Sequence, residues 1–177
     1  MSLFLVETTL QEADRSKAII EQKIKTIEAS LQENGLSLIE AQVAKDYSYA
    51  FFIVETDNES QLAPIIEKEN VHVALTKQVR LIGEDIDGVK RQKDKVNYVV
   101  EWNLPEHLTM EQYLARKEKN SVHYQEVPEV SFARTYVCED MTKCLCFYDA
   151  PDQSSVEKAR EAVQAPIDAI TELEQND

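Results

Sequence analysis

The sequence predicts an α+β fold, built from two ferredoxin-like βαββαβ repeats packed sheet to sheet as an intrachain, dimeric α/β-barrel-like unit. Three observations carry this expectation. FLVETTL at 4–10 and YVVEWNL at 98–104 align at a displacement of about 94 residues. The same displacement sets Ser37 on Ser131, Val43 on Val137, Asp46 on Asp140, Ser60 on Ser154 and Glu67 on Glu161 without a gap. Each half also reads strand, helix, strand, strand, helix, strand, an order that leaves one sheet face without helices and in need of a second layer. A half of this length would bury about 60% of its unfolded surface and the whole about 70%, which favours a shared core.

The elements follow from spacing. In the first half, β-rich Leu3 to Thr8 precedes Ile20, Ile24, Ile27 and Leu31, which recur on one helical face. Leu36 to Ala44 and Tyr49 to Glu55 read as strands joined by a polar turn around Asp46, and Ser60 announces the second helix. Gly83 to Lys95, GEDIDGVKRQKDK, has glycines and dense charge and reads as a linker. The expected division is thus a degenerate repeat at 1–82, a charged linker at 83–95 and a second repeat at 96–177. In the second half, Ser154 and Glu157 form a capping box, Val156, Ala159 and Val163 supply a buried stripe, and Pro166 stops the helix. The first helices of the two halves do not superpose in their apolar positions.

Composition narrows the function classes. The 177 residues are 43% hydrophobic and 29% charged, as in soluble globular proteins. A net charge of −14 repels phosphates and anionic bilayers, so neither nucleic acid nor membrane is an expected partner. The start MSLFLVETTL lacks a basic segment and a long apolar run, which points to the cytoplasm. Three glycines leave no room for a phosphate loop or dinucleotide fingerprint. Cys138, Cys144 and Cys146 are an odd number in one segment, unlike a disulfide framework, and are expected as reduced thiols unless a metal holds them.

Period-two alternation then assigns faces. Tyr98, Val100, Ala133, Val137, Leu145 and Phe147 are expected under the helices. Glu101, Asn103, Arg134, Tyr136, Cys144, Cys146 and Tyr148 are expected between the sheets, with Glu7, Glu40 and Gln42 from the first half. Two glutamates, an arginine and tyrosines among apolar residues suit a small-ligand cavity, because buried charges need a partner or a ligand. The candidate ligand-binding residues are therefore Glu7, Glu101, Arg134, Tyr136 and Tyr148. Cys144 and Cys146 share a strand face, and parity across the hairpin places Cys138 beside them, a set that suits a soft or borderline metal. His72, His107 and His123 are scattered, with His107 nearest the inferred cavity mouth.

YVVEWNLP at 98–105, TYVCEDMTKCLCFYDAP at 135–151 and the capped helix leading to Ala165 and Pro166 resemble the nickel-binding ferredoxin-like family of small bacterial proteins. Glu101, Leu104, Pro105, Tyr136, Val137, Asp140, Cys146, Tyr148, Ala150, Pro151 and Pro166 carry the resemblance. It covers most of the second half, while the first keeps Glu7 but has Phe52, Val54, Thr56 and Asp57 at the Cys, Tyr and Ala-Pro positions. Family members are single domains that resemble dimers, which implies that this chain is a fused version of such a dimer. Many carry a His in the second helix, suspected as a metal ligand, where Ala159 stands here.

The leading expectation is a binding protein for a small molecule or a metal ion, nickel among them, acting as a monomer or homodimer with its site between the two sheets. One alternative is a cofactor-free enzyme resembling the dimeric α/β-barrel monooxygenases, with Arg134, Tyr136 and Tyr148 orienting an organic substrate. Another is a protein-interaction module using an exposed sheet edge.

Overall fold

The computed structural model describes residues 1–175, which form an α+β fold of two compact units: residues 1–79 with 86–93, and residues 80–85 with 94 onward. The first unit runs β1 (Ser2–Leu10), α1 (Lys17–Glu33), β2 (Ser37–Val43), β3 (Tyr49–Thr56), α2 (Leu62–Glu67) and β4 (Val71–Ile82), the last three residues of β4 belonging to the second unit. The strands lie in the order β2-β3-β1-β4, and β1–β3, β1–β4 and β2–β3 pair antiparallel. α1 begins where Ser16 accepts from the Ile19 amide, and it closes through Gly35, whose φ of +80° lets Leu36 N–H reach the Leu31 carbonyl. Ile20, Ile27 and Leu31 of α1 meet Phe4, Val6, Phe52 and Val54 from the sheet and Leu62 and Ile66 from α2 in one core, so alternation and helical spacing agree on the buried face.

The segment expected as a linker is instead an α-helix, α3 (Ile86–Gln92). Its charges line one side only. Gly88 and Val89 are buried, the helix contacts β2, and Gln42 Nε2 donates to the Lys93 carbonyl at 2.7 Å. Ile86 and Val89 at helical spacing were the overlooked signal.

The second unit repeats the element order with β5 (Tyr98–Asn103), α4 (Met110–Asn120), β6 (Ser131–Cys138), β7 (Lys143–Asp149), α5 (Gln153–Ala162) and β8 (Ala169–Glu172), its strands arranged β6-β7-β5-β8. Its pairings match those of the first unit at the sequence displacement. Phe4 opposite Val54 has its counterpart in Tyr98 opposite Tyr148, and Val6 opposite Phe52 in Val100 opposite Cys146. A register shift at Leu38/Glu40 recurs at Phe132/Arg134. Left-handed residues recur as well: Tyr47 and Asn70 in the first unit, Met141 and Gln164 in the second.

Capping departs from expectation at α5. Asp152, rather than Ser154, accepts from the Ser155 amide at 2.8 Å. The Ser154–Glu157 spacing competes with an aspartate two residues earlier, and the aspartate wins because its carboxylate accepts from Ser154 Oγ and from the Ser155 amide and Oγ at once. In the first unit, Ser60 lies in a 3-10 turn ahead of α2 and does not cap it. The full capping box lies at α4, where Thr109 accepts from the Gln112 amide and Gln112 accepts in return from the Thr109 amide. Thr109→Ala is expected to destabilise the second unit by about 1 kcal/mol. The fluorescence of Trp102, the single tryptophan, followed through a urea titration checks this. No helix among the described residues is long and apolar enough to cross a membrane.

Candidate functional site

Core packing reverses the expected face of β7. Tyr98, Val100, Trp102, Val137, Cys144, Cys146 and Tyr148 share one core with Tyr113 of α4 and Val156 and Ala159 of α5, so both thiols and Tyr148 lie beneath the helices. Leu145 and Phe147 point away from them. The inversion has a physical origin: every residue from Cys144 to Tyr148 is buried, so apolarity could not separate the two faces of this strand. The shift at Phe132/Arg134 keeps Arg134 and Tyr136 on the far face, with the Arg134 guanidinium 5.4 Å from the Phe147 ring centre and the Tyr136 ring 5.9 Å from it.

The five expected ligand residues are thus divided. Glu101 alternates with Val100 and Trp102 onto the face away from the helices and pairs with Lys143 at 2.7 Å. Glu7 alternates likewise with Val6 in the first unit, where Gln42 donates to Glu40 at 2.7 Å. Arg134 and Tyr136 share the Phe147 cluster, while Tyr148 joins the helix side. Cys144 and Cys146 keep their common face, but Cys138 follows Val137 and so faces away, and the three thiols do not converge. All three are buried and reduced.

On the helix side, α4, the turn after it and α5 leave a small pocket, partly open to solvent, bordered by Trp102, Arg116, Lys117, Tyr124, Cys146 and Arg160 among others. Arg160 is its floor and only 2% exposed. Its Nη1 donates to the Tyr148 phenolic oxygen at 3.1 Å, and its Nη2 donates to the Pro166 carbonyl. Its Nε is buried with no hydrogen-bond partner. The Tyr148 and Tyr124 phenols are 2.6 Å apart. Trp102 carries the Arg116 guanidinium 5.2 Å from its ring, and Phe132 carries the Lys117 ammonium at 4.3 Å, contacts that hold both cations at the rim.

Electrostatics follow from this packing. Burial pushes the Tyr148, Tyr124 and Tyr113 phenols up, so they act as neutral hydrogen-bonding groups. The Cys146 thiol is held well below its ordinary range by a hydrogen bond from Cys144 and, against burial, by the charges of Lys117 and Arg160 and a hydrogen bond from Thr135. Cys144 moves up, chiefly because it donates that bond and because it is buried. Thr135 Oγ1 lies 3.2 Å from Cys146 Sγ. Among the described residues no carboxylate bonds to Arg160, and the group beside it whose charged form is favoured is the Cys146 thiol.

Sequence reasoning named Cys146 as a metal ligand and Tyr148 as a ligand residue between the sheets, where the structure puts both on the helix side, and it did not name Arg160, Arg116 or Lys117. The signal for Arg160 was present: it falls four residues after Val156, inside the apolar stripe, where a charge is costly unless it has a task. The α4 cations were legible only through the Thr109–Gln112 box, which fixes the helix that presents them.

Residues 98–173 match the model of a family described as nickel responsive protein SCO4226-like, the stretch whose motifs carry the resemblance described above. Among solved structures, a protein provisionally assigned as a chlorite dismutase, TA0507, is similar with a TM-score of 0.62 at 10% identity, over 99% of this chain and 96% of that one. A provisionally assigned monooxygenase from Lactobacillus acidophilus NCFM aligns with a TM-score of 0.47 at 10% identity, over 99% and 94%. At such identity the first likeness shows fold alone. No curated protein matches the sequence.

The residues present do not fit a nickel ion. No group of three His, Cys, Asp or Glu side chains able to hold a metal occurs among the described residues. In the pocket, the one lining thiol is accompanied by three cations, which repel a divalent metal. Ala159, where the family resemblance implied a His, supplies no donor and is fully buried.

Proposed function

We propose that the chain is a binding protein for a small organic anion, held in the Arg160 pocket of its second unit. The observation that carries this reading is the buried guanidinium whose Nε lacks an acceptor and which no carboxylate among the described residues neutralises. A ligand carboxylate would supply both, since charge-assisted bonds to guanidinium are the strong ones. Trp102 and Tyr124 flank the opening and favour an apolar or aromatic body on that anion. Arg116 and Lys117 add positive potential at the rim of an otherwise acidic protein.

In this reading the two units descend from one ferredoxin-like repeat. Support comes from the shared pairings, register shifts and left-handed turns described above. At the positions matching Cys146, Tyr148 and Arg160, the first unit has Phe52, Val54 and Ile66, all in its core, so ligand binding is assigned to the second unit.

Trp102 makes the test direct. Titration of the protein with benzoate is expected to change its emission saturably, and Arg160→Met is expected to weaken that response by about tenfold or more. Nickel chloride, compared with sodium chloride, is expected to leave the emission unchanged. Saturable nickel binding that disappears in Cys146→Ser, or no response to benzoate, would overturn the proposal.

A further inference from the structure

We infer that Cys146 is a peroxide-reactive site, a thiol placed so that a hydroperoxide entering the same pocket oxidises it to a sulfenic acid. This rests on the pocket but not on anion binding. Two independent features meet there. Cys146 Sγ borders the opening and accepts a hydrogen bond from Thr135 Oγ1 at 3.2 Å. Arg160, itself buried and with an Nε that has no hydrogen-bond partner, borders the same space. A cysteine and a guanidinium bordering one small opening, with the Thr135 hydroxyl donating to the sulfur from behind, can hold a peroxide and stabilise the charge that leaves it.

The chemistry balances. The Cys146 thiolate attacks one oxygen of hydrogen peroxide, an S–O bond forms and the O–O bond breaks. Sulfur loses two electrons to the peroxide, and the departing hydroxide leaves through the opening to solvent, where it recombines with the proton that the thiol released on ionising, so that thiol and hydrogen peroxide give sulfenic acid and water. The guanidinium of Arg160 faces the negative charge as it shifts from sulfur to oxygen. Because Cys146 is only 2% exposed, the pocket selects for small oxidants over bulky ones. Cys144 shares the face but donates its proton to Cys146 and stays a thiol, which makes it the slower of the two. Cys138, on the far face, has neither the pocket nor these cations.

The groups facing Cys146 are Cys144 and Tyr148 on its own strand, Tyr113 and Lys117 on α4, Tyr124 after it and Arg160 on α5. The tyrosines remain neutral, so the lasting charges around the thiol are positive. Reactivity is therefore retained below the ordinary thiol range, near pH 8.5 or so.

The experiment treats the reduced full chain with hydrogen peroxide at pH 7, traps sulfenic acid with dimedone and localises the adduct by fragment-ion mass spectrometry. Cys146 is expected to be labelled about tenfold faster than Cys144 or Cys138. In Thr135→Val, with fold checked by circular dichroism, the pH midpoint of Cys146 labelling is expected to rise. Even labelling of the three cysteines, preference for Cys144 or Cys138, or no adduct in the parent protein overturns the proposal. An unmoved midpoint in Thr135→Val overturns the role given to Thr135. A protein that ignores benzoate yet oxidises first at Cys146 refutes the binding reading and leaves this one standing; the converse result refutes this one alone.

Discussion

Arg160→Met is expected to destabilise the second unit by about 3 kcal/mol at pH 9, and Cys146→Ala to cost far less in that background than in the parent. Removing the guanidinium takes the donor from Tyr148 and leaves Lys117 as the remaining cation beside Cys146, and weakening a buried charge arrangement is costly because the surviving charge is left less compensated. If the pair is real, the double-mutant cycle should show a coupling of about 1–3 kcal/mol. The sign of its pH dependence is fixed. Cys146 is depressed in the folded state, so its contribution is complete above the unfolded thiol's value near 9.0. It is lost as pH falls through the lower folded value. Arg160 is shifted upward and stays charged throughout. Urea titrations of the four proteins, followed by Trp102 emission, measure the cycle within the second unit. A coupling near zero at pH 9, or one that does not shrink on acidification, would remove Cys146 as the partner of Arg160.

The helices and strands were legible because their apolar residues keep a clear period, as in Ile20, Ile27 and Leu31, or pair across a constant displacement. β7 was not. With Cys144 through Tyr148 all buried, both faces are apolar, and only the neighbours they meet decide which lies under α4 and α5. Parity correctly grouped Cys144 with Cys146 but misassigned the group, and one further residue of alternation carried Cys138 to the opposite face. Linker and helix were confused at 83–95 for a related reason: the buried Gly88 and Val89, with the half-buried Ile86 on the same turn, suffice to dock a short helix that is otherwise exposed and charged. The pocket itself depends on Arg160 and the α4 cations, residues remote in sequence from the cysteines, whose convergence is a tertiary fact.

Phe52→Cys tests how much of the inferred chemistry belongs to the strand position and how much to its surroundings. Phe52 occupies in β3 the place that Cys146 occupies in β7, opposite Val6 as Cys146 is opposite Val100. Its surroundings are apolar, with Val54, Leu62 and Ile66 in the same core and Phe52 itself 2% exposed. Replacing the ring leaves a cavity that the packed core fills only in part, so the first unit should lose about 3 kcal/mol. Since the chain has two units, a single unfolding transition need not report on the first one. Hydrogen exchange of the β3 amides measures the loss locally, as a fall in their opening free energy. The introduced thiol has no arginine or lysine beside it in that core and no hydroxyl equivalent to Thr135, because the matching residue is Ala41. Burial alone then raises its pKa, and peroxide should label it far more slowly than Cys146 in the same molecule. A loss below about 1 kcal/mol would mean that the Phe52 site relaxes freely. Labelling as fast as at Cys146 would show that the strand position, rather than Arg160, Lys117 and Thr135, makes the cysteine reactive.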